Sequence, residues 1–377
     1  MKKLRIMELF GGIGACSKAL ERLGIDYEIA DYVEIDKYAV KSFNAIHNTN
    51  FEPQDICKWN KDIKVDLIMH GSPCQDFSLA GKQAGGDKDS GTRSSLMYET
   101  IRIVEKLKPK YVIWENVKNL LSKKHRHNFD AYLETMESLG YTNYYQVLNA
   151  KDYGIPQNRE RVFTVSIRDD SGIRKSAFLG IFYLEDYEAN NFEFPSKQEL
   201  KLKLKDMLED EVDEKYYLSN KMVEYISADN EKWTGNNDKS IINKSVASAI
   251  NTGEGSRRCD ASNYISNQVE ENFNLKGSSY LRDFGSKGKL QNKEYCDTLT
   301  ASMGTGGGNV PIFQNNLRIR KLTPLEVWRL MGFDDEDFEK AAKVNSNSQL
   351  YKQAGNSIVV NVLEAILNNL LIESGEQ

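Results

Sequence analysis

A cysteine behind a proline, Pro73-Cys74, follows the apolar run Val65–His70. In a sheet of parallel strands, substrates bind beyond the carboxyl ends. A thiol held there is a candidate nucleophile, although a lone cysteine reads equally as a buried, inert side chain. The residues after it favour chemistry. From Gln75 to Ser95 the chain is polar and carries Gly81, Gly85, Gly86 and Gly91, the composition of a segment that closes over a substrate. Lys82, Lys88 and Arg93 lie within it. Glu115 ends the next apolar run, Tyr111-Val112-Ile113-Trp114, at the same edge. A partly desolvated carboxyl there could donate a hydrogen bond to a substrate, or it could cap the following helix. Gln157-Asn158-Arg159-Glu160-Arg161 precedes another strand and brings two arginines, which alone would read as a surface charge run.

A second constellation opens the chain. Phe10-Gly11-Gly12-Ile13-Gly14 follows the apolar run Leu4–Leu9 directly. Glycines at such a place let the chain turn tightly and bring backbone amides to a ligand at a helix N-terminus. Glu34 follows Gly14 by about 20 residues, the spacing at which an acid binds ribose hydroxyls. The pair points to a nucleoside cofactor, and a plain glycine turn is the competing account.

These residues need elements to hold them. Leu4–Leu9, Tyr27–Glu34, Val65–His70, Tyr111–Glu115 and Arg161–Ile167 read as buried strands. Amphipathic stretches at Lys18–Leu23, Leu96–Leu107 and Phe129–Leu139 lie between them. The alternation predicts parallel strands with right-handed crossover helices, hence an open doubly wound α/β sheet. From about 190 to 315 the chain is rich in Asn, Lys, Ser and Gly, opening with a helical pattern at Leu200–Leu208. That region reads as a second, irregular module. Helical patterns return at Pro324–Met331 and Ser357–Leu371.

The 377 residues, 40% hydrophobic and 28% charged, are enough for one large or two ordinary domains. We find no apolar run approaching the roughly 18 residues of a membrane span, and Met1–Ile6 reads as the start of a strand rather than a signal peptide. The net charge of −5 does not advertise a nucleic-acid binder. Local basic stretches exist at 118–126 (KNLLSKKHR) and 318–321 (RIRK), each of which alone would be a solvated face. The five cysteines, Cys16, Cys57, Cys74, Cys259 and Cys296, show no zinc-knuckle spacing, so reduced thiols and a cytoplasmic address are expected. His125 and His127 have no acidic or cysteine partner nearby in sequence, and no metal is expected.

Taken in order, these motifs resemble the DNA cytosine-5 methyltransferase family of the bacterial and phage kind. They are FGGIG (10–14), VEIDKYA (33–39), QDI (54–56), GSPCQDFS (71–78), ENVKNL (115–120) and YGIPQNRERVF (153–163). RKLTPLEVWRLMGF (320–333) and YKQAGNSIVVNV (351–362) follow. Two departures are small. Ala15 stands where the family often has a glycine, and the 190–315 module offers only Thr298-Leu299 as a match to the family's Thr-Leu pair.

The resemblance implies a Rossmann-like S-adenosylmethionine-dependent fold. Residues 1–190 would form the catalytic and cofactor-binding domain, 191–315 the target-recognition domain, and 316–377 a segment completing the catalytic domain. It implies transfer of a methyl group from S-adenosylmethionine to carbon 5 of cytosine in duplex DNA. Cys74 would add to carbon 6, Glu115 would hydrogen-bond ring nitrogen 3, Arg161 would hold the base carbonyl, and Arg159 would support the thiolate or a phosphate. Phe10 and the backbone of Gly11, Gly12, Ile13 and Gly14 would meet the cofactor. Glu34 would take its ribose and Asp55 with Ile56 its adenine, with Pro73, Asn356 and Ser357 alongside. Gln75, Ser78, Lys82 and Arg93 would contact DNA, Arg257 and Arg258 are candidate readers of guanine, and Thr298 and Leu299 complete the recognition set. The chain would act as a monomer, with any restriction endonuclease encoded separately. The alternatives are an RNA cytosine-5 methyltransferase, a catalytically silent DNA-binding regulator, or, from the glycine turn and Glu34 alone, a nicotinamide-dependent oxidoreductase.

Overall fold

Six strands form one sheet in the order β2-β1-β3-β4-β7-β5. The computed structural model describes residues 3–73, 96–169, 192–217, 219 and 318–373, and the backbone of short strands at 246–247, 263–266, 279–280, 291–292, 294–297 and 311–315. β1 (Leu4–Leu9), β2 (Tyr27–Val33), β3 (Leu67–His70) and β4 (Tyr111–Val117) run parallel. β5 (Tyr141–Asn149) and β7 (Glu160–Arg168) are antiparallel, β7 lying between β4 and β5. β6 is the two-residue pair Gln157–Asn158, which meets Cys296–Asp297. The doubly wound α/β reading holds, with the correction that the strand expected at Arg161–Ile167 runs against β4. The connection from β4 to β5 passes through a helix, and β7 then returns alongside, so the sheet closes on an antiparallel edge.

The helices follow from local chemistry. α1 (Ala15–Arg22) starts at Gly14 and buries Ala15, Cys16, Ala19 and Leu20. α2 (Lys37–His47) is capped by Asp36, whose carboxylate accepts from the Tyr38 amide at 2.9 Å. α3 (Met97–Leu107) buries Met97, Ile101 and Val104 at helical spacing and stops at Lys108, φ +47°, before Pro109. α4 (Arg126–Ser138) covers the same face. α5 (Pro324–Arg329) begins with a Thr323–Glu326 capping box and a first-turn proline. α6 (Asp335–Ala342), α7 (Asn347–Asn356) and α8 (Val360–Asn368) complete the set.

The last fifty residues pack back onto the first fifty. α8 lies against α1 and α6 against α2. Lys18, almost fully buried, reaches Asp334 at 2.6 Å and Asp337 at 3.0 Å. Gln353 and Asn345 donate to the Tyr38 carbonyl, and Lys352 pairs with Asp36. By length and composition the run Asn347–Ile372 could cross a membrane, but half of its most apolar stretch is buried here. It serves as a core helix of this fold.

Two expectations are corrected. Leu200–Leu208 forms only one turn of 3-10 helix, Leu204–Met207. Leu200, Leu202 and Leu204 recur every second residue, a spacing that suits extended chain better than a helix face. The 318–321 stretch is not a solvated face at Arg320. That side chain is 2% exposed and bidentate to Glu326, at 2.8 and 2.9 Å.

Candidate active site

The turn after β1 is shaped by backbone that only a fixed environment can hold. Phe10 sits at φ +53°, a left-handed conformation costly for a bulky side chain. Gly14 is at φ +84°, and a Cβ there would lie 2.2 Å from His47 Nε2. A Cβ on Gly11 would lie 2.7 Å from the Tyr32 ring and 2.9 Å from the Glu8 Cβ. The Tyr32 hydroxyl donates to the Gly12 carbonyl at 2.6 Å. Gly12 and Asp36 amides donate to the two carboxylate oxygens of Glu34, at 3.2 and 2.8 Å. Burial raises the Glu34 carboxyl, and those amides oppose the shift. The result is a backbone cradle with an acid on its rim, which fits a nucleoside cofactor. The Ile13 side chain is buried in the core, and its carbonyl lies 3.3 Å from His47 Nε2.

Beneath this turn sits Glu8, which the motif reading passed over. It is buried at the end of β1 and accepts from the Ser17 amide at 3.1 Å and the Ser17 hydroxyl at 2.5 Å. Burial pushes its carboxyl up to about 7. An acid inside the run IMELF was the available signal. The neighbouring His47 is held neutral, its imidazole pushed down to about 4 by burial.

Asp55 caps the single turn Ile56–Lys58, accepting from the Cys57 amide at 3.0 Å. Ile56 is buried. Behind the turn, buried Asp31 collects the Trp59 indole N–H at 2.7 Å, the Gln54 amide at 3.0 Å and the Lys61 ammonium at 2.8 Å. Asp31 also escaped sequence reasoning, since its partners lie about 23 to 30 residues away in sequence.

The carboxyl ends of β3 and β4 form the second half. Gly71, Ser72 and Pro73 leave β3, and the Ser72 hydroxyl accepts from the Trp114 indole at 2.9 Å. Asn116 donates to the Ser72 carbonyl at 3.3 Å. Thus β4 fixes the approach to position 74. His70, fully buried, stacks on Trp114 with centroids 5.6 Å apart and reaches the Tyr132 hydroxyl at 3.2 Å. Burial pushes its imidazole down to about 3, so it stays neutral.

Glu115 and Arg161 face each other at 2.9 Å, the arginine arriving from the antiparallel neighbour β7. Their side chains are 11% and 17% exposed, enough to meet a substrate while excluding most water. A Cβ on Gly71 would lie 3.8 Å from Glu115 and 3.6 Å from Ile358, so three distant segments converge there. Arg159 is buried rather than part of a surface run. Its guanidinium donates to the Ser357 carbonyl at 2.7 Å and the Gly355 carbonyl at 3.3 Å. It therefore holds the 355–357 segment against β7, a use of the side chain that its expected role beside a thiolate or phosphate did not include. Ser357 is buried and Asn356 exposed at the end of α7. Cys74, Gln75, Ser78, Lys82, Lys88, Arg93, Arg257, Arg258, Thr298 and Leu299 lie outside the described residues.

Comparison with known proteins gives a consistent picture. A family model described as C-5 cytosine-specific DNA methylase matches residues 4–371. A type II methyltransferase, M2.ScrFI of Lactococcus lactis subsp. cremoris, is 34% identical over 97% of this chain and 99% of its own. The orphan methyltransferase M.SPRI of Bacillus phage SPR is 34% identical over 98% of each chain. Among solved structures, the Entamoeba histolytica methyltransferase EhMeth covers 99% of both chains with a TM-score of 0.63 at 15% identity. That last likeness is one of fold.

Proposed function

From the premise that this chain belongs to the C-5 cytosine-specific DNA methylase family and is a DNA cytosine-5 methyltransferase, we propose that it acts by covalent activation of an extruded cytosine. The observation that carries this reading is the Glu115–Arg161 pair beside Gly71-Ser72-Pro73. It offers an acid and a cation to one face of a flat, polar ring, next to the residue that bears the thiol.

Cytosine carbon 5 is a weak nucleophile. Addition of the Cys74 sulfur to carbon 6 moves the ring's C5–C6 π electrons onto carbon 5. Glu115 donates a hydrogen bond to ring nitrogen 3 and Arg161 holds the carbonyl oxygen, so charge developing in the ring is stabilised. S-Adenosylmethionine, when bound in the glycine cradle, supplies an electrophilic methyl group. Carbon 5 would take that methyl as its bond to the sulfonium sulfur breaks, leaving the thioether S-adenosylhomocysteine, and would then lose its proton to a water-borne base. The C5–H electrons rebuild the double bond as the sulfur leaves. Phe10, the 11–14 backbone, Glu34 and Asp55 with Ile56 bind and orient the cofactor, and Arg159 sets the 355–357 segment beside them.

In a duplex the target is stacked, so the nucleotide must swing out at a cost of a few kcal/mol. Residues 191–315 are the proposed reader of base edges in the major groove, with Arg257 and Arg258 among its candidates. The relatives are called type II or orphan methyltransferases, which supports a modification or orphan role; a monomer acting on cytoplasmic DNA is part of the proposal. Duplexes containing 5-fluorocytosine test the chemistry, since fluorine cannot leave as the proton does. With methyl donor present, a cross-link on Cys74 stable to denaturation is expected, and Cys74→Ser should lose it while still binding S-adenosylhomocysteine. Absence of the wild-type adduct under conditions where ordinary duplex is methylated would refute the covalent route.

A further inference from the structure

We propose that Arg102 is a positioning residue for adenine recognition: its guanidinium spans the carbonyls of Ile56 and Trp59 and thereby fixes the turn on which Asp55 stands. This rests on the reading of Asp55 as the acid that faces the cofactor's adenine.

The turn cannot hold itself. It is three residues long, closed by the Lys58 amide to the Asp55 carbonyl at 3.0 Å and the Trp59 amide to the Ile56 carbonyl at 3.2 Å. Cys57 and Lys58 are exposed, so only Ile56 and Trp59 anchor it by burial. From one side Asp31 on β2 grips the Trp59 indole and Gln54. From the other side stands α3. Arg102 Nη1 donates to the Trp59 carbonyl at 3.0 Å, and Nη2 to the Ile56 carbonyl at 3.0 Å. Its Nε is held by Glu99 at 2.8 Å, one helical turn earlier. One turn later, Lys106 donates to Asn60 Oδ1 at 2.6 Å and lies over the Trp59 ring. Glu99, Arg102 and Lys106 thus form a stripe along α3 that faces residues 56–60.

The geometry explains why an arginine stands there. Two carbonyls and a carboxylate are met by three separate N–H groups of one planar cation. A lysine ammonium is a single point on a flexible stem and cannot span the two carbonyls while keeping Glu99. The Ile56 carbonyl, with both the Trp59 amide and Arg102 as donors, is then fixed in direction, and so is the Cys57 amide in the same peptide plane, which donates to the Asp55 carboxylate at 3.0 Å. A carboxylate whose position is fixed can discriminate a 6-amino group, which donates, from a 6-oxo group, which accepts. Arg102 therefore acts on selectivity through Asp55 without touching the base.

The test is calorimetric titration of the full chain with S-adenosylhomocysteine and with its inosine analogue, S-inosylhomocysteine. Arg102→Lys, at a side chain 39% exposed, should keep the wild-type melting temperature. It should weaken the adenosine compound by about tenfold, the size of one lost charged hydrogen bond, and leave the inosine compound unchanged, so that preference falls toward one. Turnover at saturating methyl donor should be unaltered, placing the effect in KM. If Asp55→Asn abolishes the preference and Arg102→Lys retains it, the inference is overturned while the adenine reading of Asp55 stands. A loss equal for both compounds would show Arg102 to be merely structural, which also overturns it. Full preference in Asp55→Asn would remove the adenine reading itself, and the inference with it.

Discussion

If Glu115 and Arg161 act on the same ring, removing both should cost little more than removing one. Take Glu115→Gln and Arg161→Met singly and together. The two groups meet at 2.9 Å, largely shielded from water. Loss of one positioned donor at developing charge costs about 10²–10³ in rate, or about 2.7–4 kcal/mol. Loss of a general acid costs about 10²–10⁴. Were the two independent, the pair would lose about 10⁴ or more. Each, however, holds the other against the substrate, so the second removal finds its partner already misplaced. The expected double variant is slower than the worse single by no more than about tenfold, a coupling of about 2 kcal/mol, within the 0.5–3 kcal/mol seen for residues in contact. The assay is single-turnover transfer of labelled methyl to a pre-bound duplex, so that binding and product release do not enter. Duplex affinity, measured with S-adenosylhomocysteine present, should change by less than the rate. Losses that multiply would refute the shared-ring argument, and a double variant near the wild-type rate would remove both residues from the chemistry.

Two other perturbations read the cofactor turn and the buried histidines. Gly14→Ala must place a Cβ 2.2 Å from His47 Nε2 in left-handed backbone, whereas Gly12→Ala, at φ +55° with open space around it, bears only a backbone cost of about 1–2 kcal/mol. Thermal melts should therefore show the Gly14 variant far less stable, without a shift on adding S-adenosylhomocysteine; equal melting temperatures would contradict the packing at that glycine. His47 and His70, depressed from 6.5 to about 4 and about 3, each give stability that is complete above pH 6.5 and declines as pH falls below it. Glu8, raised from 4.5 to about 7, has the opposite sign, its contribution complete below pH 4.5 and fading as pH rises through 7. Near pH 5 the two histidines outweigh Glu8 by roughly one proton, so these three groups together raise unfolding free energy by about 1.4 kcal/mol per pH unit there, a slope that falls away toward pH 6.5 as the unfolded histidines deprotonate. His70→Phe, which keeps the stack on Trp114, should flatten that slope in urea titrations, and an unchanged slope would exclude His70 as its source.

The parallel half of the sheet was legible because its strands are buried on both faces. LRIMEL, LIMH and YVIWENV are near-continuous apolar runs, and that pattern marks crossover topology. The antiparallel edge was not. YTNYYQVLN has four of nine residues polar, and it leaves Tyr145 exposed on the sheet's last strand, so its periodicity is weak. α2 was missed for a related reason: KYAVKSFNAIH mixes its apolar positions with lysines that cover only its outer face. In the site, Phe10, Glu34 and Glu115 could be named because each stands at the end of an apolar run, and Arg161 through the motif that carries it. Glu8, Asp31 and Arg102 could not be found that way, and His70, although it ends the run Val65–His70, gives no sign in sequence of the hydroxyl it meets. Their meaning depends on partners such as Ser17, Trp59, Tyr132 and the Ile56 carbonyl, and a contact across the fold leaves no mark on either stretch of sequence alone.

The contacts that assemble the site share one physical device. Loops at the carboxyl edge of a sheet expose carbonyls that no ladder satisfies. Here long side chains on other elements reach them. Arg159 takes the carbonyls of Gly355 and Ser357, Arg102 those of Ile56 and Trp59, Gln157 that of Leu330, and Gln54 that of Tyr32. Each such bond orients a loop without filling the space a ligand needs, which an apolar anchor would do. Preorganisation of this kind places reacting groups before the substrate arrives. It also changes what a motif residue means. Arg159 stands two residues from Arg161 in one motif, yet the first holds backbone and the second faces Glu115. The two arginines divide the labour because Arg159 lies between β6 and β7, outside the ladder, whereas Arg161 stands in β7 opposite Val117 of β4. Both carbonyls that Arg159 meets are taken by one nitrogen, Nη2, so a lysine at 159 would keep those bonds wherever its ammonium reached the same point, and what the guanidinium adds there is reach rather than a fork.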